Sequence, residues 1–300
     1  MRGVVPMSKA VQQDDGERDL GFDAPADAAA TIITSADPPR SLLELPQALV
    51  EECRVHLEDD GLNIRVVDPT NVGLVSLSVP ASSFETYAVD VDSLTIGLPL
   101  DTLAKSVRFA RKRQDDPVRV DVFPEGERAR LRAAALRPNQ RMRRVSEFYT
   151  IDPDSVRQEP DVPDIELPNM AAPDVDALGD AIAELERLNE YVWFSRDGET
   201  FIIGSQPLGE SQLDEDHAVV DSVAFPEAAW SENGEDTARG SMFSIDYLAD
   251  AIGALDAAKA DRVTLSFGDE LPTRIRGEWV EWGFTATFMV APRTTGDSHE

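Results

Sequence analysis

The chain has almost no cysteine and little lysine. Cys53 is the only cysteine among 300 residues, which excludes an internal disulfide and any thiolate zinc cluster and suits a reducing compartment, with the thiol buried and structural. Lysine occurs at four positions, Lys9, Lys105, Lys112 and Lys259, and every other basic residue is arginine. No run of about 18 apolar residues occurs, so no membrane span is expected. The first residues lack the apolar core of a secretory signal, which predicts a cytoplasmic protein. No HExxH, GxSxG or GxGxxG pattern and no phosphate-binding GxxxxGK loop is present. The three histidines, His56, His217 and His299, lie far apart, although a catalytic histidine needs an oriented partner within hydrogen-bond reach. These absences argue against an enzyme, and neither a cofactor nor a metal is expected. The run Asp214-Glu215-Asp216 reads as solvated surface rather than a Mg²⁺ site.

Acid is what the chain has in excess: 57 acidic against 28 basic residues, a formal charge of −29 at pH 7. Such a surface suits a salt-rich cytoplasm, where repulsion between like charges is screened within about 3 Å at 1 M salt. Residues 1–28, rich in Asp, Ala and Gln without periodicity, read as a disordered extension.

The stretch Ile151–Pro168 holds four prolines and six acidic residues, so it continues neither a helix nor a central strand. The segments on its two sides resemble one another. Before it, a Pro-Pro pair opens a helix from Asp37, interrupted by Pro46. Arg54–Leu57 and Leu62–Val67 then flank Glu58-Asp59-Asp60-Gly61 as a hairpin. A strand at Leu74–Val79, a short turn at Phe84–Tyr87, a strand at Leu94–Leu98, a helix over Leu100–Arg113 and a strand at Val118–Val122 follow, then an arginine-rich hairpin turning at Pro138-Asn139. After it comes an amphipathic helix at Val175–Leu188 and a hairpin around Arg196–Glu199. An offset of 137 residues pairs Gly61 with Gly198 and Leu57 with Phe194, and an offset of 145 pairs Leu100 with Ile245 and Val118 with Val263. The second copy therefore carries eight extra residues between its hairpin and its helix. This predicts an α+β protein of two similar domains, 29–150 and 169–293, each with two helices on one face of an antiparallel sheet, joined by a connector at 151–168 and followed by a tail at 294–300.

Basic residues concentrate between Lys105 and Arg144, which holds 13 of them. On a helix, Lys105, Arg108, Arg111 and Lys112 project as one stripe, suited to tracking phosphates without reading bases. In the second copy the corresponding positions are Asp250, Gly253, Asp256 and Ala257. Arg128, Arg130 and Arg132 alternate with Ala129, Leu131 and Ala133 and point away from the helices, towards an acidic neighbour rather than DNA.

Segments of this chain resemble the archaeal and eukaryotic sliding clamp, proliferating cell nuclear antigen, in its salt-loving archaeal form. They are Glu52–Leu62, Val67–Val72 (VDPTNV), the connector Ile151–Pro168, Met242–Leu248 (MFSIDYL) and Val290–Arg293 (VAPR). The resemblance implies a DNA clamp fold and a trimeric ring that encircles double-stranded DNA with its helices lining the hole. Such a ring acts as a DNA polymerase processivity factor that tethers the peptides of DNA polymerase, clamp loader, nuclease and ligase. It also implies a partner-peptide groove at Val67, Asn71, Val156, Pro272, Val290, Ala291 and Pro292, with Lys105, Arg108, Arg111 and Lys112 facing DNA. Ring closure would join the edge strand Met142–Thr150 to one near Ser211–Val219, with Arg141, Arg143 and Arg144 meeting Asp214, Glu215 and Asp216. A second reading is a clamp-fold interaction protein that competes for clamp partners, or joins a second clamp subunit in mixed rings, without encircling DNA alone.

Overall fold

A computed structural model describes residues 27–35, 37–111, 114–159, 165–207, 221–232 and 237–293. The N-terminal extension up to residue 26, Lys112, the expected strand near Ser211–Val219 with Asp214, Glu215 and Asp216, and the tail at 294–300 lie outside the described residues.

Before the connector the elements run β1 (Ala30–Ser35), α1 (Asp37–Gln47), β2 (Glu52–Glu58), β3 (Gly61–Val67), β4 (Gly73–Pro80), β5 (Thr86–Val89), β6 (Ser93–Pro99), α2 (Leu100–Val107), β7 (Pro117–Glu125), β8 (Arg128–Arg137) and β9 (Met142–Tyr149). After it they run β10 (Asn169–Ala171), α3 (Val175–Glu186), β11 (Tyr191–Asp197), β12 (Thr200–Gly204), β13 (Ser222–Phe225), β14 (Ala229–Ser231), β15 (Thr237–Ala238), β16 (Met242–Ser244), α4 (Ile245–Ala257), β17 (Arg262–Phe267), β18 (Thr273–Trp279) and β19 (Phe284–Val290).

The expected α+β class is what the structure has, and the strands of each half are divided between two sheets. The order β5-β1-β7-β8-β9 in the first half is repeated as β14-β10-β17-β18-β19 in the second. Likewise β4-β3-β2-β6 is matched by β13-β12-β11 with β16 against β11. The two halves join where β19 pairs antiparallel with β4, Thr285 opposite Ser78 through Val290 opposite Gly73, which makes one nine-stranded sheet. The helices also touch across this join, α1 against α4, with α2 beside α1 and α3 beside α4.

Alternation explains which strand faces are buried. On β2, Cys53, Val55 and Leu57 point inward while Arg54 and His56 point out. Cys53 is fully buried and burial pushes its thiol up to about 12, so it is an inert structural thiol. Gly61 opens β3 at φ 153°, where an added Cβ would sit 2.1 Å from the Val79 carbonyl oxygen. The second-half core is aromatic: Phe194 packs at 5.1–6.0 Å from Phe201, Phe243 and Phe267, and each ring is fully buried. Burial of such a side chain contributes roughly 1.5–3 kcal/mol. Trp279 belongs to the core, Trp193 and Trp282 are half-buried, and Trp230 is exposed.

Three local expectations change. Thr86–Val89 is a strand pairing with β1, not part of a turn, and β1 itself was not foreseen. The α2 helix stops at Val107 instead of Arg113. The reason is that the following carbonyl and amide groups find partners outside the helix. Arg137 donates its Nε–H to the Phe109 carbonyl at 2.7 Å and stacks its guanidinium over the Phe109 ring at 4.3 Å, while the Arg111 N–H is held by Asp116 at 2.9 Å. The α3 helix begins where its sequence asks, with the Asp174 carboxylate accepting the Ala177 N–H at 3.0 Å.

Candidate groove, helix wall and sheet edges

The connector leaves β9 and lies across the edge of the nine-stranded sheet. Ile151 donates its N–H to the Gly97 carbonyl at 2.7 Å, and glycine is required there because a Cβ would stand 2.6 Å from the Ile151 oxygen and 2.9 Å from Val156 Cγ2. Val156 turns its buried side chain towards a cavity of about 610 Å³ that it shares with Leu49, Val50, Val66, Val67 and Pro69. Three basic side chains hold the strap. Arg54 Nη2 donates to the Val156 carbonyl at 3.2 Å, and Arg157 donates to the Asp68 carbonyl at 3.0 Å and to Asn71 Oδ1. His56 lies between Thr95 Oγ1, at 3.0 Å, and a close contact with Glu159 Oε1.

Most of the groove residues expected from the sequence meet at this end of the sheet. Val67 and Val156 line the cavity, and Asn71 binds Arg157. Thr273 pairs with Val290, so Pro272 lies beside Ala291 and Pro292. Ala291 donates its N–H to the Val72 carbonyl at 2.8 Å. Val290 departs from expectation, since its side chain is 1% exposed and belongs to the core, as the inward register of β19 dictates. Leu49, Val50 and Pro69 were missed as lining residues. Leu49 and Val50 extend the apolar run of α1 in sequence, but the helix has already ended at Gln47.

The loop between β3 and β4 is fixed by one carboxylate. Asp68 accepts the hydroxyl of Thr70 (2.5 Å), N–H groups from Thr70 (2.8 Å), Val72 (2.7 Å) and Gly73 (2.7 Å), and the hydroxyl of Tyr247 (2.8 Å). Burial alone would raise its pKa, but these hydrogen bonds outweigh it and hold the carboxyl at about 2.

The helix surface differs between the halves. Lys105 and Arg108 are exposed at the end of α2, and Lys105 pairs with Asp101 at 2.5 Å. Arg111 does not continue a stripe: it lies beyond the helix, its Nε–H on Asp116 at 2.9 Å. Asp116 is 1% exposed, and the Arg111 guanidinium and N–H lower its pKa against the opposing effect of burial. Between α3 and α4 runs a groove of about 410 Å³ with Ile182 and Ile252 in its floor and Asp176, Asp180, Glu186 and Asp256 along it. Burial, with Asp246 and Glu186 nearby, pushes the Asp250 carboxyl up. The hairpin arginines of β8 find acid and aromatic partners within the chain: Arg130 meets Glu125 at 3.0 Å and stacks over Phe123, and Arg132 meets Glu147 at 3.6 Å.

Among the sheet edges of the described residues, two are counterparts of strands that pair inside the chain. One is β9, with Met142, Val145 and Tyr149 at 47%, 37% and 53% exposure and Arg141, Arg143 and Arg144 exposed beside them. The other is β13, which pairs only with β12. By the repeat, β9 is the counterpart of β19 and β13 the counterpart of β4, the two strands that pair inside the chain.

Residues 36–125 match the family described as proliferating cell nuclear antigen, N-terminal domain. A DNA polymerase sliding clamp of Natronomonas pharaonis is 33% identical over 270 residues, 88% of this chain and 98% of that protein. One of Halobacterium salinarum is 30% identical over 266 residues, 87% of this chain and 97% of that protein. Among solved structures, the A. fulgidus PCNA bound to the C-terminal region of FEN-1 superposes with a TM-score of 0.71 at 26% identity, covering 89% of this chain and all of that one.

Proposed function

This chain belongs to the proliferating cell nuclear antigen family of DNA polymerase sliding clamps, and from that premise we propose that its copies close head to tail into a trimeric ring around duplex DNA. The observation that carries this reading is the pair of open edges. Since β9 and β13 are the repeat counterparts of β19 and β4, antiparallel pairing of β9 in one copy with β13 in the next would reproduce between chains the contact already made within the chain. A heterologous contact of this kind generates a closed ring when its rotation closes, and it covers these two edges, which would otherwise be templates for aggregation.

In such a ring the clamp is a scaffold rather than a catalyst. Holding is topological, so it does not depend on tight phosphate binding, which high salt suppresses. Lys105 and Arg108 supply the basic contacts of the first half, while the acidic α3–α4 face repels phosphate and keeps DNA loosely centred. Partner enzymes dock short peptides in the cavity between Val156 and Val67, where Leu49, Val50 and Pro69 suit an aliphatic or aromatic anchor beside the polar Glu51, Glu52, Arg157 and Gln158. The solved relative that carries a FEN-1 tail supports a nuclease peptide as one such partner. The compartment that suits this work is the cytoplasm.

Light scattering in molar KCl tests the ring. A mass three times the 32.9 kDa of the chain is expected, with retention on circular DNA and release on linearisation. A chain that stays monomeric alone, and also when mixed with a second clamp chain, would instead be a competitor for clamp partners.

A further inference from the structure

Between Ile151 and Glu159 the connector is held at three points, and one of them lies away from the peptide cavity. Gly97 and Arg54 fix its entry through Ile151 and Val156, and Arg157 ties it to the loop at Asp68 and Asn71. His56 stands on the outer face of β2, two positions beyond Arg54 and four beyond Glu52, which lines the cavity. It reaches Glu159, three positions beyond Val156, and its other ring nitrogen is 3.0 Å from Thr95 Oγ1 on β6. Thr95 and His56 are directly opposite in the β2–β6 register, so the imidazole is held in place by the sheet before it meets the strap. Both members of the pair are about one-third exposed or less, His56 at 31% and Glu159 at 26%.

We infer that His56 and Glu159 are positioning residues of the partner-peptide groove: their contact pins the strap against β2 and so fixes the wall that Val156 presents. This rests on the reading of that cavity as the peptide site. Without the pair the next hold beyond Arg157 among the described residues is at Ile165, whose carbonyl accepts from Arg274 Nη2 at 3.3 Å, so the strap at Glu159 would loosen. A wall already in its bound position costs less ordering when a peptide arrives. Loosening it raises the dissociation rate more than it lowers the association rate. The occupant is a short peptide with an aliphatic or aromatic anchor. The pair touches no part of it and acts through Val156.

Two measurements on the full-length protein in molar KCl test this. The first is amide hydrogen exchange at residues 151–159 in the free protein. The second is binding of a fluorescent peptide of the FEN-1 C-terminal region. His56→Ala and Glu159→Ala are each expected to speed exchange across the strap while leaving β7 and β8 protected, and to weaken peptide binding about fivefold, mostly through faster release. The exchanged pair, His56→Glu with Glu159→Arg, should recover slow exchange and most of the affinity. Wild-type exchange and affinity in both single variants would overturn the inference, and so would single variants that loosen the strap with no recovery in the exchanged pair. If the wild-type chain does not bind the peptide, the peptide-site reading fails, and the exchange rates alone decide whether the pair pins the strap.

Discussion

The hydroxyl of Tyr247, on α4, lies 2.8 Å from Asp68 Oδ2, on the loop between β3 and β4, and so ties a helix of the second half to a loop of the first. Gly73 closes the same junction, since a Cβ there would press on the Tyr247 ring at 2.9 Å. The Asp68 carboxyl is held at about 2, below its ordinary 3.8, so its stabilising contribution is present above about pH 4 and is lost as pH falls towards 2. The size is about 2 kcal/mol. Asp68→Asn should therefore lower stability by about 2 kcal/mol at pH 7 and flatten the acid limb of the stability curve. Tyr247→Phe should cost about 1 kcal/mol. Urea unfolding from pH 7 to pH 2 at fixed ionic strength reads both, and an unchanged acid limb in Asp68→Asn would contradict the assignment.

The β9 edge gives a second prediction. Val145 and Tyr149 are exposed in the single chain, so replacing both with Asp changes chain stability little, within about 0.5 kcal/mol. In a ring they would be covered, and burying two unpaired carboxylates there is costly. The double variant should run as a monomer by light scattering at an unchanged melting temperature. Ala224→Asp on β13 should do the same from the other side of the contact. A variant that keeps the ring mass would place the junction elsewhere.

Much of this fold was legible because its signals are local and repeated. The Asp59-Asp60-Gly61 turn, the alternation around Val55 and Leu57, and the fixed offset to Val192 and Phe194 each follow from the chain itself, and the matched strand orders bear them out. What was not legible depends on distant partners. Nothing near Val107 announces the end of α2, because Arg137 and Asp116 end it from outside. Short strands such as β5 and β10, of four and three residues, carry too little periodicity to be seen. The groove follows from the resemblance, but that Leu49 and Pro69 share its cavity with Val156 depends on a contact across the chain that no local pattern carries.

The acidic face of α3 and α4 gives a third prediction. The Asp250 carboxyl is raised by burial and by Asp246 and Glu186. A folded-state value above the unfolded one means that ionisation weakens the fold, so the cost appears as pH rises through the carboxylate range and persists at pH 7. The Asp250 carboxyl is only partly desolvated, since the residue as a whole is exposed, and solvent screening limits the effect to a few tenths of a kcal/mol. Asp250→Asn should therefore stabilise the chain slightly at pH 7, and the gain should grow as KCl is lowered, because screening falls with ionic strength. Thermal melts across a KCl series read this directly. A gain that is independent of salt would point to helix propensity instead of charge.

Gly97 separates the strap from the ring. It lies on β6, opposite Arg54, and the strap passes so close that a Cβ would meet the Ile151 oxygen at 2.6 Å and Val156 Cγ2 at 2.9 Å. Backbone cannot yield as the end of a flexible side chain can, so Gly97→Ala must lift the strap. Overpacking of this kind costs about 1–3 kcal/mol where the structure cannot relax, and less where a surface segment can move away. The cavity wall at Val156 moves with the strap, whereas β9 and β13 are untouched. The expected result is a ring of unchanged mass whose affinity for the FEN-1 peptide falls about tenfold, with faster amide exchange from Ile151 to Val156. Loss of the ring together with loss of peptide binding would mean that the strap also supports the β9 edge, and unchanged affinity would mean that Val156 does not form the wall of the groove.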